Sequence, residues 1–195
     1  MKHLFLIIWG VITFGNSYAQ SFIFYSYKIN TKGGNRLELS YYYDNGDYYV
    51  SICDWYRDYN NKMHFSSVTN KVSNFKADLR AIQAKYNQWK NTAKSNSVQN
   101  VEKVIPCNIG FTDMSCDAYA SNANKKVITP YFVVQNYKSK CEIRIWQYFY
   151  ERTPNYNVWH LYSEDIQALI TGIDQGLHEF INKNSQKKRT EDLFQ

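Results

Sequence analysis

Beyond His3 the chain holds three histidines, His64, His160 and His178. His178-Glu179 opens like the helical zinc-protease motif, in which two histidines four residues apart hold a metal on one helix face. Asn182 stands where the second histidine belongs, so that chemistry fails. His160 sits in Tyr156–Tyr162, an alternating strand pattern, with no acid or nucleophile that sequence spacing brings beside it. No nucleophile elbow, phosphate-binding glycine loop or paired-carboxylate motif occurs. Asp44 and Asp47 bracket Asn45-Gly46 without the further acids of a calcium loop, so they read as turn residues. No catalytic residue, metal site or cofactor is expected.

Four cysteines remain, Cys53, Cys107, Cys116 and Cys141. None forms a C-x-x-C pair, and none has a histidine at zinc-ligand spacing. In an oxidising compartment an even count permits two disulfides in three connectivities. Cys107 and Cys116, the nearest pair, are the expected bridge.

The remaining chemistry is aromatic. The 18 tyrosines and 5 tryptophans are abundant for a chain of 195 residues. Tyr42, Tyr49 and Trp55 fall on one face of a predicted hairpin, and Trp146 and Tyr148 on the matching face of a second. Side chains of this kind offer large contact area at low entropic cost, so these five are the candidate ligand-binding residues. The competing reading has that face covered by other parts of the chain.

The elements that must position these residues are legible. Leu37, Leu39, Tyr41 and Tyr43 alternate with polar positions up to Asn45-Gly46, whose residues tolerate the positive φ of a type I′ turn. Folding there pairs Tyr43 with Tyr48, Tyr41 with Val50 and Leu39 with Ile52, so one face is apolar. Strands near 22–29 and 63–69 flank this hairpin. Val72, Phe75, Leu79, Ile82, Tyr86 and Trp89 then mark a helix over 72–90. A second helix is expected after Ser163 as N-cap, with Glu164 and Asp165 favourable in its first turn. Its stripe is Ile166, Leu169, Ile170, Ile173, Leu177, Phe180 and Ile181, with Ala168, Gly172 and Gly176 allowing close backbone approach. Strands near 113–119, 127–136, 140–151 and 156–162 precede it, and Pro130 predicts an edge position or a bulge.

The two sets of elements share a constant offset of 91. Phe75 meets Ile166, Leu79 meets Ile170 and Trp89 meets Phe180; outside the helices, Ile52 meets Ile143 and Trp55 meets Trp146. This reads as two diverged β-β-β-β-α copies, 20–94 and 113–185, with a linker at 95–112 and a polar basic tail at 186–195. The expected fold class is α+β, with antiparallel sheet or sheets and two amphipathic helices packed on one face.

Residues 1–19 read as an export signal: Lys2 and His3, an apolar run from Leu4 to Phe14, then Ser17-Tyr18-Ala19 as a cleavage site. The expected location is periplasmic or extracellular, with no membrane span in the mature chain. Cleavage removes one lysine and no acid, lowering the net charge from +6 to +5. That surplus, part of it in Lys187-Lys188-Arg189, reads as a solvated end, and no nucleic-acid partner is expected. With 44% hydrophobic and 17% aromatic residues, disorder is excluded. The resulting expectation is an exported, non-catalytic binding protein for a protein, peptide or glycan. The alternatives are a secreted hydrolase with residues dispersed in sequence, or an inhibitor or immunity-type protein.

Overall fold

The computed structural model describes residues 25–57, 63–116, 127–148 and 154–192. The proposed signal at 1–19 lies outside them. In chain order the elements are β1 (Tyr25–Asn30), β2 (Arg36–Asp44), β3 (Asp47–Arg57), β4 (Met63–Lys71), α1 (Val72–Ser95), β5 (Val101–Val104), β6 (Ile109–Gly110), β7 (Asp113–Cys116), β8 (Val127–Ile128), β9 (Pro130–Gln135), β10 (Lys138–Tyr148), β11 (Pro154–Leu161) and α2 (Ser163–Asp192). The fold is α+β. One antiparallel sheet runs β1-β2-β3-β4-β7, a second runs β11-β10-β9-β5, and β6 pairs with β8.

The first hairpin has the register its sequence dictates. Tyr43 faces Tyr48, Tyr41 faces Val50 and Leu39 faces Ile52 across β2 and β3, about a turn with Asn45 at φ 47° and Gly46 at φ 87°. Leu37, Leu39, Tyr41, Val50 and Ile52 are buried, because a slip by one residue would turn this row toward solvent. The second hairpin repeats the geometry 91 residues on. Asp44 faces Asp47 in the first and Gln135 faces Lys138 in the second. Arg57 faces Met63 and Tyr148 faces Pro154. Asn136 and Tyr137 take the positive φ of the second turn.

The helices bridge the two sheets: α2 packs chiefly on the first sheet, and α1 touches β3 and β4 of the first as well as β9 and β10 of the second. α2 lies on β1 and β2, with Phe180 stacked on Tyr41 at 6.1 Å. α1 reaches β9, where Tyr86 and Trp89 meet Phe132 edge-on at 5.7 and 5.8 Å. Tyr41 and Phe132 are 91 apart, as are Trp89 and Phe180. The helices run antiparallel to each other, with Lys76 paired to Asp174 and Gln83 to Gln167. Under the same offset these two contacts exchange. A single apolar core therefore joins both sheets and both helices, containing Phe75, Leu79, Ile82, Ile143, Trp159, Ile166 and Ile173, each worth about 1.5–3 kcal/mol by burial.

Gly172 and Gly176 provide the close approach. The Tyr41 hydroxyl donates to the carbonyls of Gly172 and Ile173 at 3.2 Å, so its ring fills the space a Cβ on Gly176 would need. Ala168 instead faces solvent.

Several expectations are corrected. The stretch 95–112 is not a plain linker, because β5 pairs with β9 and β6 with β8. The strand expected to open the second half, β7, joins β4 of the first sheet. Hydrogen bonds distant in sequence direct it there: Thr112 N–H donates to Thr69 O at 2.7 Å, and Asn70 Nδ2 to Gly110 O at 2.7 Å. Pro130 does not mark an edge strand. It is the first residue of inner strand β9, a position that needs no proline N–H. Ser163 is the first helical residue rather than the cap, and Asp165 Oδ2 accepts the Tyr162 N–H at 2.9 Å, one half of a capping box. α2 also continues through the expected tail to Asp192.

Candidate functional site

The candidate site is the end of the β2–β3 hairpin. Tyr42 and Tyr49 are cross-strand partners on the face opposite the core. Their rings stack at 4.8 Å, 3° from parallel, and both are half-buried. On the other face Tyr43 and Tyr48 meet at 4.9 Å. Tyr43 is 44% exposed, while Tyr48 packs on the core edge-on to Phe180 at 6.4 Å. The hairpin end thus carries four tyrosines on a backbone held by cross-strand hydrogen bonds.

An open groove of about 440 Å³ runs beside this end, between the turn at Gly46 and the helices. Lys76, Arg80 and Asp174 bring charge to it, and Val72 and Leu177 an apolar floor. Lys71, opposite Tyr49 in the ladder, pairs with Asp47. Such a surface can stack on ring faces or peptide planes and form hydrogen bonds through its hydroxyls.

Of the five residues expected to bind a ligand, the structure brings Tyr42 and Tyr49 into direct contact. Trp55 stands opposite Phe65 and Trp146 opposite Tyr156 in their ladders. The side chains of Trp55, Trp146 and Tyr148 lie outside the described residues.

The expected Cys107–Cys116 bridge is not formed. Cys107, Cys53 and Cys141 are free thiols; the side chain of Cys116 lies outside the described residues. Cys107 follows β5 at the edge of the second sheet, whereas Cys116 ends β7 on the first, opposite Ser66. Burial, reinforced by Glu38, pushes the Cys53 thiol up to about 11, against hydrogen bonds from Ser40 and Ser67. Burial pushes Cys141 to about 12. Neither thiol is a ready nucleophile at neutral pH.

Sequence spacing missed a charged lattice on the second sheet. Glu142 pairs with His160 across β10 and β11 and with Tyr131 across β9. It is only 7% exposed. Arg144 Nε and Nη2 donate to it at 3.1 and 2.9 Å, and Lys140 Nζ lies at 2.9 Å. Arg144 also grips Glu102 with two bonds of 3.0 and 2.6 Å and lies over the Tyr131 ring. Burial works against the Glu142 charge, but Lys140 and Arg144 outweigh it and hold the carboxyl below its ordinary range. The signal was present in sequence as Lys140-x-Glu142-x-Arg144, an alternation that puts all three on one sheet face.

His160 Nδ1 lies 3.4 Å from Glu142 Oε1 without hydrogen-bond alignment. Burial, then the Lys140 charge, outweighs the pull of Glu142 and lowers its pKa from 6.5. The folded protein therefore resists protonation that the unfolded chain accepts. Stability is unaffected above pH 6.5 and falls as pH drops from there toward the folded pKa. Glu142 and Glu102, both lowered from 4.5, add stability above that value and lose it at still lower pH. An acid titration of the unfolding midpoint is expected to fall first just below pH 6.5, and His160→Gln to remove that first fall. Superimposable curves between pH 7 and 5 would show that His160 is not its source.

No described helix is long and apolar enough to cross a membrane. Compared with known families, characterised proteins and solved structures, the chain matches none.

Proposed function

We propose that this chain is an exported, non-catalytic binding protein built from two diverged copies of one unit, which engages a protein, peptide or glycan through its tyrosine-bearing hairpin end. The observation that carries the reading is the Tyr42–Tyr49 stack on one face of the hairpin end, with exposed Tyr43 on the other. Tyrosines with few rotatable bonds, set on a preorganised backbone, are the chemistry of adaptable binding surfaces. The duplication draws support from the ladders and helix contacts that recur or exchange at an offset of 91. Export rests on the residue pattern of 1–19.

The hydrolase alternative draws on one observation, His160 beside Glu142. Glu142 is already engaged by Lys140 and Arg144, and His160 lines neither described groove.

The test is binding of the purified protein to immobilised glycan and peptide arrays, alongside a Tyr43→Ala/Tyr49→Ala variant. The reading expects signals of one class to drop at least about tenfold in the variant, the loss of about 1.4 kcal/mol that two ring contacts supply. Equal signals from both proteins would refute it.

A further inference from the structure

A second cavity lies at the other hairpin. The end of α1 and the β9–β10 turn enclose about 290 Å³, with Ala93 and Val134 in its floor, Ser139 in its wall and Lys90, Lys94 and Tyr137 around it. None of its lining residues is acidic.

Tyr137 occupies an unusual position. It holds φ at 64° in a turn whose counterpart is Gly46 at φ 87°. A side chain with a Cβ is disfavoured there, where glycine or asparagine is the usual choice. Burial does not compensate, because Tyr137 is 66% exposed. Its N–H donates to Gln99 O at 3.1 Å, which any residue would do. Folding alone therefore does not account for a tyrosine at this point; a ring presented at the mouth of a cavity does.

The lysines supply the second observation. Lys90 and Lys94 are one helical turn apart on α1, so two positive charges flank one side of the cavity, with Lys90 also in the field of the Glu164 carboxylate. Lys90 leans toward the Tyr86 ring at 6.0 Å. Three carbonyls in the last turn of α1, those of Thr92, Ala93 and Lys94, already accept the amides of Asn96, Val98 and Ser97, which lessens the repulsion an anion would meet there.

We propose that this cavity binds a small aromatic carboxylate, its ring against Tyr137 and the Ala93–Val134 floor and its carboxylate between Lys90 and Lys94. The volume admits a single ring with a short acidic arm. The site is separate from the tyrosine hairpin and stands or falls without it.

The test is a chemical-shift titration of the purified protein with 4-hydroxyphenylacetate, its neutral amide and propionate. The acid is expected to shift Val134, Tyr137 and Lys94 amides, with the amide and propionate at least tenfold weaker. Tyr137→Gly is expected to weaken binding at least tenfold while raising the unfolding midpoint, an opposition that a purely structural tyrosine would not give. Lys90→Gln/Lys94→Gln is expected to abolish the preference for acid over amide. Equal binding of acid and amide, no saturable shift with the acid, or undiminished binding by Tyr137→Gly would each overturn the proposal.

Discussion

A Gly176→Ala variant is expected to lose about 1–3 kcal/mol of stability, although alanine is the better helix former by roughly 1 kcal/mol. The added Cβ would lie 2.6 and 2.7 Å from Cε2 and Cζ of Tyr41 and closer still to its hydroxyl. That ring cannot yield easily: it is 1% exposed, bonded to two α2 carbonyls and stacked on Phe180. Gly172→Ala meets chiefly the Cδ1 end of Ile29, which can rotate, so a smaller loss is expected there. Truncating the obstacle in Gly176→Ala/Tyr41→Leu should make the two changes non-additive, because they share one contact. Thermal unfolding of the parent, these three variants and Tyr41→Leu alone checks this. Gly176→Ala as stable as the parent would mean that α2 does not rest on β2 as described.

Glu142→Ala should be the most damaging change outside the apolar core, at about 2–4 kcal/mol. Breaking a buried ion pair by removing one partner leaves the other charge desolvated and uncompensated. Here it leaves Lys140, 19% exposed, without its carboxylate and takes one of two carboxylates from Arg144, 17% exposed. The loss stays below the extreme because Arg144 keeps its two bonds to Glu102. Lys71, at the surface and half-buried, with Asp47 as its partner, offers the contrast: Lys71→Ala should be nearly neutral, as surface ion pairs are. Denaturant unfolding of both variants decides it. Equal, small losses would mean the lattice on the second sheet is solvated decoration.

The hairpin and helices were legible because period and turn chemistry act locally. Asn45-Gly46 permits one turn type, and that turn admits one register that buries Leu39 and Ile52 together. The helix stripes were legible for the same reason: Phe75, Leu79, Ile82 and Tyr86 lie in the core. The fate of β7 was not legible, because it depends on Asn70 and Thr69 holding Gly110 and Thr112 through bonds across about 40 residues. The same holds for the cysteines, where closeness in sequence said nothing of Cys107 following an edge strand of one sheet and Cys116 ending a strand of the other. In the candidate site, alternation and turn pairing foretold that Tyr42 and Tyr49 share a face. The meeting of His160 with Glu142 required the β10–β11 register, in which Pro154 and Asn155 belong to the strand rather than to a turn before it. Tyr137 was hidden differently: its significance lies in a backbone angle, visible only beside the glycine that fills the equivalent place.

The claim that the tyrosine hairpin is a binding surface is tested most directly by affinity of the strongest array ligand for the parent and for Tyr43→Ala/Tyr49→Ala, with unfolding midpoints measured alongside. A drop of about tenfold or more, with a folded variant, is the predicted result. Unchanged affinity in the folded variant would place binding elsewhere and contradict the account.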